Sequence, residues 1–194
     1  MFFFCLTSTM ENAPERLSLS RHTLQKLLKQ VGNGDTAAFT RLYEQTRSAV
    51  YGFLFSILKN RQDAEDALQE VFLTIDAHAG KYSPSGSPMG WIMVIAKNTA
   101  FMMLRSRKTT VALEEFPESF RTSGLSQETE DRMILEKAMV VLDDTERQVV
   151  MLHAVAEMKH REIAQLLGLS LSGTLSKYRR ALNKLRKQLE GAEP

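Results

Sequence analysis

The chain has 194 residues, a net charge of +2 and a hydrophobic fraction of 43%. That is enough apolar material for the cores of one or two domains, and a single cysteine, Cys5, excludes a disulfide framework and fits a reducing cytosol. The near balance of charge hides its placement: acidic residues gather in the middle of each half and basic ones at its end.

The opening MFFFCL is too short to span a bilayer and lacks the basic flank of a secretory signal. Residues 1–19 are therefore read as a disordered leader, with Met10 as the more ordinary start. No membrane or targeting segment is found, so the protein is expected in the cytoplasm.

From there the pattern is helical throughout, with no alternating β-branched run. Leu24, Leu27, Leu28 and Val31 make a short amphipathic helix over Ser20–Val31, closed by Gly32 and Gly34. Asp35 is expected to cap a longer helix through about Lys59, with Leu42, Val50, Phe53 and Leu54 on its apolar side. Asp63 opens a third, DAEDALQEVFLTID. Its Ala64, Ala67, Leu68, Val71, Phe72 and Ile75 face inward, and Asp63, Asp66, Gln69 and Glu70 form an anionic outer surface.

KYSPSGSP must be a loop. Pro88 then suits the first position of a fourth helix, GWIMVIAKNTAFMMLRSRK. Periodicity fails over 109–127, a linker rich in Glu, Ser, Pro and Gly, and resumes at Arg132–Leu142. Asp143, Asp144 and Thr145 cap the next helix, Glu146–Ala156.

The last stretch, Lys159–Leu189, is the most informative. Ile163, Ala164 and Leu167 form a short apolar face, Gly168 suits a left-handed helix end, and Ser170 or Ser172 can cap a second helix. That helix carries an apolar stripe of Leu171, Leu175, Tyr178, Leu182, Leu185 and Leu189, flanked by Lys177, Arg180, Lys184 and Lys187. A short helix, a Gly turn and a basic helix form a helix-turn-helix pattern, whose second helix enters the major groove. Ser172, Ser176, Lys177, Arg179, Arg180 and Lys184 are its candidate DNA contacts.

The segments GDTAAFTRLYEQTRSAVYGFLFSILKNRQDAEDALQEVFL, GWIMVIAKNTAFMMLRSRK, LDDTERQVVMLHAVAEMKHREIAQLLGLS and LSGTLSKYRRALNKLRK together resemble bacterial sigma factors of the extracytoplasmic-function type. The match spans about residues 20 to 188. The resemblance implies an all-α fold of two small helical domains on a flexible linker. Residues 20–108 would be the promoter-melting domain, and 128–190 a four-helix unit with the helix-turn-helix.

It further implies that Asp63, Asp66, Gln69 and Glu70 dock on core RNA polymerase. Tyr82, Trp91, Lys97, Asn98, Arg105, Arg107 and Lys108 would engage the downstream promoter element, and the helix-turn-helix the upstream one. Trp91 has a plainer reading as a core aromatic. The expected partners are core polymerase, promoter DNA and an anti-sigma factor. The family's carboxylate after the Arg–Asn pair is missing from Lys97–Asn98–Thr99–Ala100–Phe101–Met102–Met103, and Gly173–Thr174 replaces its Thr–Val.

No catalytic constellation, metal spacing or phosphate-cradling Gly loop is found, so neither an enzyme nor a cofactor is expected. Two rivals compete: a stand-alone helix-turn-helix regulator, and a helical adaptor whose basic end only keeps it in solution.

Overall fold

The computed structural model describes residues 21–83, 86–110 and 141–190, with backbone alone for 107–110 and 189–190. The expected leader and most of the 109–127 linker and the Arg132–Leu142 helix lie outside these residues. All regular structure among the described residues is helical, as expected from the periodicity.

The first half comprises α1 (Arg21–Gly32), α2 (Thr36–Leu58), α3 (Arg61–His78), a 3-10 turn (Ala79–Lys81) and α4 (Pro88–Thr110). Asp35 caps α2 as expected, its carboxylate accepting from the Ala38 amide at 3.0 Å. The start of α3 differs from expectation. Lys59 turns left-handed at φ 55° and ends α2, and Asn60 caps α3 by accepting from the Asp63 amide at 3.1 Å. Asp63 therefore stands third in the helix, within its first turn, instead of opening it. Gly32 is needed for close approach, because a Cβ there would fall 2.8 Å from the Gly80 backbone.

The core of this half is built from Leu28, Leu42, Val50, Phe53, Leu54, Val71, Ile75, Ile92 and Met93, none more than 0% exposed. Tyr43 meets the edge of Phe72 with centroids 4.7 Å apart, fastening α2 to α3. Thr46 and Ser56 are buried without cost in lost hydrogen bonds, since each hydroxyl donates to a carbonyl of its own helix.

The second half comprises α5 (Asp144–Val150), a π-helical turn (Met151–Val155), α6 (His160–Leu167) and α7 (Leu171–Glu190). Asp143 and Glu146 form a reciprocal capping box at the start of α5, each carboxylate accepting from the other's amide. The single helix expected over Glu146–Ala156 instead widens at Met151, and Glu157 reverses the chain at φ 52°. Gly168 is left-handed at φ 70°, as expected. The Leu169 amide reaches back to the Ala164 carbonyl at 2.9 Å, which is the Schellman ending of α6.

The two helical units are in contact, which the linker pattern did not anticipate. One buried cluster runs from Leu24 through Met93 and on to Val149, Leu152, Met158, Ile163 and Leu166.

Candidate nucleic-acid interface

The helix-turn-helix is built by α6, the Gly168 turn and α7. Ser170 caps α7, its hydroxyl accepting from the Gly173 amide at 3.0 Å. A Cβ at Gly173 would lie 2.9 Å from that same oxygen, so glycine at this position leaves room for the cap. The inward face of α7 is Thr174, Tyr178, Ala181 and Leu185. Leu171, expected on that stripe, is 47% exposed at the mouth of the turn. Thr174 takes the buried place in the first turn, its hydroxyl donating to the Ser170 carbonyl at 3.0 Å.

The candidate contacts on α7 divide into two groups. Ser172, Ser176, Arg179 and Arg180 are exposed. Lys177 and Lys184 instead lean toward α5: Lys177 lies 3.5 Å from Asp143, and Lys184 lies 2.7 Å from the buried Glu146. Burial would raise the Asp143 carboxyl's pKa, but the Glu146 amide and the two lysines outweigh it and hold it below the usual value. These two lysines thus help tie α7 to α5.

A cluster within the second half was not anticipated. The rings of His153 and His160 lie 4.0 Å apart, and both meet Tyr178 edge-on. Burial lowers the pKa of His160, and the neighbouring His153 adds to this. The π turn and the reversal at Glu157 bring the two histidines together, so linear spacing gave no sign of the pair. The capping box was legible, because Asp143-x-x-Glu146 is its sequence signature.

In the first half, Tyr82 and Trp91 meet edge to face at 5.4 Å. The Tyr82 hydroxyl and Arg21 both donate to the Gly86 carbonyl, at 3.4 and 2.9 Å, and hold the loop against α1. Beside them lies an open groove of about 260 Å³ lined by Thr74, His78, Lys81, Trp91 and Ile95. Trp91 is half-buried, serving the core on one side and this groove on the other. Asn98 and Arg105 are exposed further along α4, whereas Lys97 is half-buried and donates to the Leu166 carbonyl. Arg107 and Lys108 lie near the end of α4, and their side chains are outside the description.

On α3, Asp66, Gln69 and Glu70 stand exposed as expected, but Asp63 is only 9% exposed. Its place in the first turn, against the Asn60 cap, turns it inward, so it does not belong to the outer anionic face. Leu73, 65% exposed, continues that face instead, in the four-then-three step from Asp66 through Glu70.

Comparison with known proteins places these features in one group. The family model for Sigma-70 region 2 matches residues 42–110, and that for Sigma-70 region 4 matches residues 132–185. The chain is 29% identical over 190 residues to the ECF RNA polymerase sigma factor SigK of Mycolicibacterium vanbaalenii, covering 94% of this chain and 97% of that one. Identity to SigK of Mycobacterium bovis is 29% over 185 residues, covering 91% and 97%. The fold is similar to that of CnrH solved with the cytosolic domain of CnrY, with a TM-score of 0.61 and 21% identity over 88% of this chain and 99% of that one. It is also similar to RpoE of Bartonella quintana solved with the anti-sigma factor NepR, with a TM-score of 0.65 and 20% identity over 80% and 98%. Among the described residues, no helix is long and apolar enough to cross a membrane.

Proposed function

This chain belongs to the extracytoplasmic-function sigma factors of bacterial RNA polymerase, and from that premise we propose how its surfaces divide the work of directing promoter-specific initiation. Core polymerase docks on the outer face of α3, through Asp66, Gln69, Glu70 and Leu73. An anionic rim around an exposed leucine suits a basic partner surface with an apolar contact at its centre. The downstream promoter strand runs along the Tyr82–Trp91 groove and the α4 side chains Lys97, Asn98, Arg105, Arg107 and Lys108. The half-buried indole offers a stacking face, and the cations neutralise phosphate.

The helix-turn-helix takes the upstream element in the major groove through Ser172, Ser176, Arg179 and Arg180. Lys177 and Lys184 support that surface from the side. Binding and strand capture suffice for this role, so the protein acts in the cytoplasm as an initiation factor with no chemical step of its own. An anti-sigma factor is a fitting partner, as the solved relatives were captured with CnrY and NepR.

The observation that carries this reading is one chain holding a Gly-turned, Ser-capped helix-turn-helix together with an exposed acidic–apolar face on α3. It is tested by measuring affinity for core polymerase before and after reversing charge at Asp66 and Glu70. The variant is expected to lose core binding while keeping its helicity. Tight duplex binding by the protein alone, with no affinity for core polymerase, would instead favour the stand-alone regulator.

A further inference from the structure

Tyr178 joins α7 to both buried clusters of the molecule, and two histidines form its seat. His153 comes from the π turn, and His160 is the first residue of α6. The two imidazole centroids lie 4.0 Å apart, and the Tyr178 ring stands steeply against them at 4.7 and 5.0 Å.

This seat suits neutral rings. The Met158 carbonyl can only accept, so His153 Nδ1 carries a hydrogen and donates to it at 2.9 Å. His160 Nε2 is buried and meets no hydrogen-bond partner among the described residues. A proton there would be a buried donor with no acceptor, at the positive end of a helix and beside a second imidazole. Burial first, and then His153, accordingly hold the pKa of His160 below 6.5.

The surrounding elements offer no counter-ion. Asp143, Asp144 and Glu146 of α5 are held by Lys177, Lys59 and Lys184, and the Glu162 carboxylate of α6 accepts from the Lys159 amide. On α4, Lys97 is bonded to the Leu166 carbonyl, and α2 meets the π turn through the uncharged Gly52 and Met151. Glu157, on the reversal between the two rings, is exposed, and His153 is the charge that acts on His160.

We propose that the two histidines make the reading of upstream promoter DNA sensitive to protons: neutral, they seat Tyr178 and align α7, and protonated, they repel each other and loosen it. The proposal rests on the reading of α7 as the groove-entering helix. Without that seat, Ser172, Ser176, Arg179 and Arg180 lose the anchor that sets their register on the bases. The seat is at full strength above pH 6.5 and weakens as the pH falls from there, because the loosened state takes up protons more readily.

The first test is hydrogen exchange of the full chain at pH 7.5 and 5.5, corrected for intrinsic exchange, with α2 as the internal reference. Protection of the α7 amides is expected to fall on the order of tenfold more than that of α2, since pH 5.5 lies one unit below the ordinary histidine value. The second is binding by the holoenzyme to a promoter with its upstream element intact and to one with that element scrambled. Their affinity ratio cancels the polymerase's own pH response. It is expected to fall toward one at pH 5.5 for the natural chain and to stay level for the His153→Gln, His160→Gln double variant.

Equal protection of α7 at the two pH values would overturn the proposal, as would a ratio that holds or rises on acidification. A ratio of one already at pH 7.5 would strike the reading of α7 as the groove-entering helix instead.

Discussion

The two halves of this molecule hold together by different means. The first is a bundle of long helices around large, fully buried side chains such as Phe53, Leu54, Ile75 and Met93. The second shows among its described residues a small cluster of its own, Leu142, Val150, Ala181 and Leu185, while Leu152, Ile163 and Leu166 join the first half's core. It compensates with polar fastenings, namely the Asp143–Glu146 box, its two lysines and the His153–His160–Tyr178 cluster. A small unit that must keep a basic helix face clear for DNA has less apolar surface to bury, so caps and ion pairs carry more of its order.

This contrast can be broken first at the larger core. Phe53→Ala should lower stability by about 3–5 kcal/mol, because α2, α3 and α4 cannot close on the void. Urea denaturation would measure it, and a loss near zero would mean that Phe53 is not the keystone of the first half.

In the second half, Glu146→Ala should lower stability by about 2 kcal/mol. It removes the partner of the Asp143 amide and of Lys184 together. Lys184→Met should cost less, since Lys184 is 43% exposed and its removal leaves the capping box intact. Equal losses in the two variants would make the ion pair, and not the cap, the important part.

A smaller effect is expected from pH. His160 has its pKa lowered from 6.5 by burial and by His153, so folding favours its neutral form. That contribution is full above the unfolded value and is lost as pH falls from there through the lower folded value, because the unfolded chain then binds the proton more readily. Melting of the second half should shift downward between pH 7.5 and 5.5, and His160→Gln should reduce the shift. An undiminished shift would place the titrating group elsewhere. Smallest of all, Asp66→Lys with Glu70→Lys should change stability by no more than about 0.5 kcal/mol, since both side chains are exposed.

Much of this was legible from local chemistry. The apolar spacing of α1 to α4, the Asp35 cap and the Gly168 turn each depend on a few neighbouring residues, and each stands where the sequence implied. What escaped depends on residues distant in the chain. Asp63 reads as one more surface acid until Asn60, three residues earlier, is seen to cap the helix. Lys97 and Lys184 read as free cations until the folded chain brings Leu166 to one and Glu146 to the other. No spacing rule announces a π turn at Met151, so the histidine pair it assembles stayed hidden as well.

Recruitment of polymerase to promoters is the task that the surfaces of this chain serve together. It is tested most directly by run-off transcription from candidate promoters, including the one upstream of its own gene, with core enzyme alone, the protein alone, and the two together. Discrete transcripts are expected only from the mixture. A mixture as silent as core enzyme alone on every template would contradict it.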